Sequence, residues 1–87
     1  MTQFKTIEKK EDIPNLKQAQ EFVEGWVERL KLPNGDVILF NEEGKMKDLP
    51  INEKATTLVD SFNHGVLGLI IVGNVIHLPK SLRQRKW

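Results

Sequence analysis

Apolar positions recur along this chain with two periods, and the switches between them mark its elements. Thr2 to Ile7 alternates loosely, through Phe4 and Ile7, as a strand would. Leu16, Ala19, Phe22 and Val23 then fall on one stripe of a short helix. Pro14 suits its first turn, where a missing N–H leaves nothing unpaired, and Gly25 suits a left-handed cap at its end. From Trp26 the period becomes two. Trp26, Glu28, Leu30 and Leu32 share one face, and Val27, Arg29 and Lys31 the other. Pro33-Asn34-Gly35-Asp36 predicts a hairpin with a two-residue type I′ turn at Asn-Gly. The returning strand, Val37 to Phe40, is wholly apolar, which predicts cover on both faces.

Asn41 to Lys45 reads as a turn with Gly44 in the left-handed position. Asn52 caps a second helix whose stripe is Ala55, Leu58, Val59 and Phe62, closed by Asn63-His64-Gly65. Leu69 to Val72 and Val75 to Leu78 flank Gly73-Asn74, as a tight hairpin or as a loop and one strand. Pro79 removes a donor and ends the pairing. The order predicts an α+β domain: two short helices packed on a small, mostly antiparallel sheet.

Composition narrows what such a domain can be. Its 87 residues fit one modest core and contain no cysteine, so neither disulfides nor thiolate metal sites can supplement that core. Two histidines, His64 and His77, are too few for an ordinary structural zinc site, and neither a metal nor a cofactor is expected. Dimerisation is the remaining supplement, and with the apolar strand Val37 to Phe40 it leads to the expectation of a homodimer that shares a sheet edge or face between two chains. Met1 to Lys10 has no apolar run of the secretory kind. Val66 to Leu78 is too short and too interrupted to span a bilayer. A soluble, cytoplasmic protein is expected, without membrane contact.

Charge is distributed unevenly. All twelve acids lie at or before Asp60, whereas Lys80, Arg83, Arg85 and Lys86 crowd the last eight residues. The first 79 residues carry −3 and the remainder +4. This divides the chain into a domain over residues 1–79 and a basic, flexible tail over residues 80–87.

Several short signals occur in a fixed order: Val23-Glu24-Gly25-Trp26-Val27-Glu28, the hairpin, Asn41-Glu42-Glu43-Gly44-Lys45, Leu49-Pro50-Ile51-Asn52 with Ala55-Thr56, and Ile71-Val72-Gly73-Asn74-Val75-Ile76. In this order the chain resembles domain-of-unknown-function family 3846, over about Leu16 to Leu78. The position after the glycine, often tyrosine in that family, is Trp26 here. The resemblance implies an origin in a bacteriophage or mobile element, and hence the cytoplasm of a host cell. It carries no activity and no catalytic residue.

Catalysis finds no support in the residues. Ser61 and Ser81 lack a neighbouring histidine and acid, His64 suits a helix end and His77 a strand surface. The glycines lack the spacing and the following Lys-Ser/Thr of a phosphate loop. Candidate binding residues are Trp26, Glu28, Asn52, Lys80, Arg83, Arg85, Lys86 and Trp87. Glu28 reads as an edge carboxylate satisfied by Arg or Lys, or as a ligand contact beside Trp26. Asn52 reads as a helix cap, or as an amide facing an anionic ligand. The tail's cations and Trp87 suit a solvated extension, a phosphate-and-base contact, or an acidic groove on a protein. The expectation is a non-enzymatic phage-type accessory protein that binds a host protein stoichiometrically and inhibits or redirects it, in host takeover or counter-defence. Two alternatives stay open: a protein that sequesters a small ligand or nucleotide, and a nucleic-acid-binding module led by the tail.

Overall fold

The computed structural model describes residues 2–63, 70–82 and 87. Its strands are β1 (Phe4–Thr6), β2 (Val27–Lys31), β3 (Val37–Asn41) and β4 (Val75–Leu78), and its helices are α1 (Leu16–Val23) and α2 (Glu53–Asn63). Two 3-10 turns, Lys10–Asp12 and Lys80–Leu82, complete the elements among the described residues. The four-stranded sheet has the order β1-β4-β3-β2. β2 and β4 each pair antiparallel with β3, and β1 pairs parallel with β4, so the sheet is mixed with a mostly antiparallel ladder. The expected α+β architecture is present.

The two helices lie on opposite faces of that sheet, and strand alternation separates their cores. On one face Ala19 of α1 packs with Val37, Leu39, Ile76, Leu78 and Ile7. On the other, Ala55 and Val59 of α2 pack with Ile38, Val75, Leu32 and Ile71. β3 therefore buries successive side chains in both directions, which is why its sequence is apolar without interruption. The cover of this strand comes from within one chain.

Local chemistry differs from expectation at four places. α1 begins after Asn15, not at Pro14: Asn15 Oδ1 accepts the Gln18 N–H at 2.8 Å and Gln18 Oε1 accepts the Asn15 N–H at 3.0 Å, a reciprocal cap. The left-handed residue closing α1 is Glu24, at φ 64°, rather than Gly25. Gly25 instead provides clearance, since a Cβ there would lie 2.6 Å from Asn41 Nδ2. The hairpin is closed by Gly35 N–H to Leu32 O and Leu32 N–H to Asp36 O, with positive φ at Gly35 and not at Asn34. That is a three-residue loop, a type I turn followed by a bulge, in place of type I′. Pro33 holds φ negative at the first corner and so selects type I. After β3, the left-handed position falls on Asp48 (φ 54°) and not on Gly44, whose missing side chain makes room for Val72.

The segment before β4 resolves the remaining alternative. Ile70, Ile71 and Val72 form no strand; Val72 makes one isolated bridge with Ile51, and β4 begins only after Gly73 and Asn74. The loop-and-strand alternative therefore holds, and the hairpin does not. Leu69 and the expected closure of α2 by His64 and Gly65 lie outside the described residues.

Asn52 fastens this region. Its Oδ1 accepts the Ala55 N–H at 3.1 Å and caps α2, while its Nδ2 donates to Gln3 O and to Gly73 O, each at 2.9 Å. Beyond Pro79 the chain turns back onto the hairpin. Asp36 Oδ1 accepts the Lys80 N–H at 2.8 Å, and Asp36 Oδ2 lies 2.9 Å from His77 Nε2. His77 Nδ1 is in turn 3.2 Å from Thr6 Oγ1, so a chain of polar contacts runs from β1 through β4 to the hairpin. Burial alone would raise the Asp36 carboxyl, but the hydrogen bonds from Lys80 and His77 outweigh it and hold the group below its ordinary value of 3.8. Leu82 and Trp87 pack against the α1-face core, and the Trp87 indole N–H donates to Pro14 O at 3.0 Å.

Three stability predictions follow from these contacts. Gly35→Val should cost at least about 1–2 kcal/mol in urea denaturation, because its φ of 97° strains an L-residue and its Cβ would meet Lys80 Cδ at 2.8 Å. Trp87→Ala should cost roughly 1–3 kcal/mol by loss of partly buried aromatic area. For Asp36 the folded value is lowered, so its contribution is full above the ordinary carboxylate range and disappears as pH falls through the folded value. The stability gap between the natural chain and Asp36→Asn, read from thermal melts, should accordingly be constant above about pH 5 and close below about pH 4.

Candidate functional site

β2 is an edge strand, and its two sides open onto different surroundings. On the α2-facing side Glu28 and Leu30 look onto a groove of about 270 Å³. Phe40 and Leu30 from the sheet and Ile71 and Val72 from the segment before β4 give it apolar walls. Met46, from the turn after β3, stands 83% exposed at its mouth, and Ile70 stands 44% exposed. Glu28, Glu42 and Lys45 supply the charged rim.

The groove is open because of how its walls are tied. Ile71 is held to α2 by Thr56, whose Oγ1 accepts the Ile71 N–H at 3.0 Å and donates to Ile71 O at 3.3 Å. The turn over residues 42–48 on the other side is anchored by buried Asn41. Asn41 Nδ2 donates to Val23 O at 3.1 Å, and its Oδ1 accepts the Glu43 N–H at 2.7 Å. The two walls are thus fixed from different elements. The α2-facing side of β2 lies between them, beyond the Ala55 and Val59 contacts that hold α2 to β3 and β4.

The candidate residues do not converge on one place. Trp26 precedes β2, is 64% exposed, and lines a shallow cavity with Gln20, Gly25, Glu43 and Lys47, apart from the groove of Glu28. Glu28 is exposed, so its charge stays hydrated; no described cation lies within ion-pair distance, and none is needed to offset burial. Asn52 is 2% exposed, and backbone groups engage both its N–H bonds and its oxygen, which leaves it with the scaffold. Lys80 and Trp87 lie on the opposite, α1-facing side of β2, where they line a separate cavity with Arg29 and Lys31. Arg83, Arg85 and Lys86 lie outside the described residues.

Sequence reasoning missed Phe40, Met46, Ile70 and Ile71 as groove residues. Alternation marks Phe40 only as core, and nothing local to Met46 or Ile70 signals that their segments face each other. It read His77 as a strand-surface residue and did not find its partners Thr6 and Asp36. Thr6, His77 and Asp36 stand in the order hydroxyl, imidazole, carboxylate, but none of the five cavities described is lined by Thr6 or His77. Among the described residues no three His, Asp or Glu side chains are grouped as a metal site, and no helix is long and apolar enough to cross a membrane.

Comparison with known proteins gives one family and no further relative. No curated protein and no solved structure matches the chain. The model of the domain of unknown function DUF3846 matches residues 2–80, from before β1 to the first residue of the final 3-10 turn, and takes in every strand and both helices. The resemblance carried by the short signals between Leu16 and Leu78 thus extends to β1, and the chain belongs to the DUF3846 family.

Proposed function

We propose that this chain is a stoichiometric binding protein of bacteriophage or mobile-element origin, which seats on a host protein in the host cytoplasm and inhibits or redirects it. The observation that carries this reading is the groove beside Glu28. Met46 and Ile70 hold apolar side chains out in water at its mouth, although a monomer gains nothing from exposing them together. The rim has two carboxylates, Glu28 and Glu42, against one ammonium, Lys45. The partner that complements it presents an apolar side chain flanked by a lysine or arginine. Apolar contact supplies affinity, and the rim charges supply orientation and association rate. The origin is taken from the family resemblance, and the mode of action requires no catalytic group.

The test begins with capture of the partner from host lysate and its identification by mass spectrometry, followed by titration of the purified pair. Met46→Asp and Glu28→Lys change exposed side chains and should leave melting nearly unchanged. Each should weaken binding by about tenfold or more, with the Glu28→Lys effect shrinking as salt rises. Equal affinity for the natural chain and both variants would remove the groove as the docking site. A doubled mass by light scattering that Met46→Asp abolishes would instead make the occupant a second copy of this chain.

A further inference from the structure

The outer edge of β2 offers a row of main-chain groups beside the groove. Two bonds at the ends of the β2–β3 ladder fix its phase. Glu42 N–H donates to Trp26 O at 2.8 Å, and Leu32 N–H donates to Asp36 O at 2.7 Å. The register between them is unbroken, from Val27 opposite Asn41 to Lys31 opposite Val37. In an antiparallel strand the main-chain groups of successive residues point to opposite edges. Glu28 and Leu30 therefore bond to β3, and Val27, Arg29 and Lys31 aim their N–H and C=O groups outward. β2 ends the sheet, and beyond the ladder no backbone hydrogen bond among the described residues reaches those three.

The same parity sorts the side chains. A strand laid along this edge would set residues opposite Glu28 and Leu30 in pairs without main-chain bonds, where side chains stand closest. The residue opposite Leu30 then meets the apolar walls of the groove. The residue opposite Glu28 meets a carboxylate that no described cation pairs. A second copy of β2 fits this edge badly. An antiparallel pair centred on Glu28 sets two carboxylates face to face, one centred on Arg29 sets two guanidinium groups face to face, and one centred on Leu30 sets Arg29 against Lys31. Charge on an edge guards it against indiscriminate pairing, and here it also specifies the strand that fits.

We propose that β2 takes up an extended segment of the protein partner as an added antiparallel strand, with an apolar residue opposite Leu30 and, two residues later, a lysine or arginine opposite Glu28. This rests on the groove as the docking site and adds how the partner is held. Main-chain bonds at Val27, Arg29 and Lys31 join the apolar contact in supplying affinity, and the two side chains select the sequence. The antiparallel direction is the more stable per residue.

The probe is a blocked, fluorophore-labelled peptide, Thr-Leu-Thr-Lys-Thr, followed by anisotropy. Its leucine and lysine fall opposite Leu30 and Glu28, and its threonines opposite Lys31, Arg29 and Val27. Saturable binding is expected by millimolar peptide. N-methylation of the central threonine, whose N–H meets Arg29 O, should weaken it about tenfold or more. N-methylation of the leucine, whose N–H faces away from β2, should change it little. Lys31→Pro removes an outward N–H and no bond to β3, so melting should hold while binding falls by a similar factor. Should that variant fold poorly, the two methylated peptides decide on the natural chain. No saturable binding, or equal binding of both methylated peptides, would overturn the proposal. So would a doubled mass of the free chain that Lys31→Pro abolishes, since the added strand would then belong to a second copy. Met46→Asp separates the strand from the groove. Binding that Met46→Asp abolishes and methylation leaves alone keeps the groove and overturns the strand. Binding that methylation of the central threonine abolishes and Met46→Asp leaves alone supports the strand and removes the groove.

Discussion

The buried amide of Asn52 is the constraint on which the arrangement of layers depends. Its three hydrogen bonds reach the first turn of α2, the chain just before β1 and the glycine just before β4. These segments are distant in sequence, and each would leave a polar group unsatisfied if the side chain were removed. An unpaired buried donor or acceptor costs about 1–3 kcal/mol, a large share of the margin of so small a domain. Asn74 repeats the device nearby, accepting from Gln3 N–H and donating to Phe22 O at 2.9 Å each. Asn41 does the same at the end of α1. Apolar burial drives the layers together, and these three amides determine where they stop.

With the layers fixed, the edge strand β2 decides what the surface can do. Each of its sides faces a region that the nearer helix does not fill. On the α2-facing side the space becomes an apolar groove with a mainly acidic rim; on the other it becomes a small cavity lined by Arg29, Lys31 and Lys80. Charge is thus asymmetric across a single strand, in which Glu28 points one way and Arg29 and Lys31 the other. Charged side chains on this edge also oppose pairing with a second β2, since an antiparallel pair centred on Leu30 would set Arg29 against Lys31 of the other copy.

The C-terminal segment shows how different kinds of interaction change an inference. Charge alone predicts weak docking on the body, because exposed ion pairs contribute little. The attachment seen among the described residues draws on other contacts. Leu82 and Trp87 add apolar area to the α1-face core, the indole N–H finds a buried carbonyl, and Asp36 holds the Lys80 amide. The described part of the segment belongs to the fold, and the cavity beside Arg29 exists because that part returns to β2.

Patterns confined to neighbouring residues were legible in the sequence. The α2 stripe, the α1 stripe apart from the exposed Leu16, the alternation of β2, the two-faced burial of Val37 to Phe40, the cap at Asn52 and the stop at Pro79 all follow from periods of 3.6 and 2 and from single-residue backbone chemistry. So does the family, because its short signals are local. Turn details were less legible. Pro33 competed with Asn34-Gly35 for the hairpin type, and the left-handed residues Glu24 and Asp48 carry no glycine to mark them. Long-range placement was decided only in three dimensions. No local pattern states that β1 pairs parallel with β4, that the helices take opposite faces, or that Asp36 meets both His77 and Lys80. The same holds for the candidate groove, whose walls come from segments 40 or more residues apart, such as Glu28 with Ile70. Periodicity tells each residue which way to point, whereas a site requires knowing what stands opposite, and that is set by the packing of the whole chain.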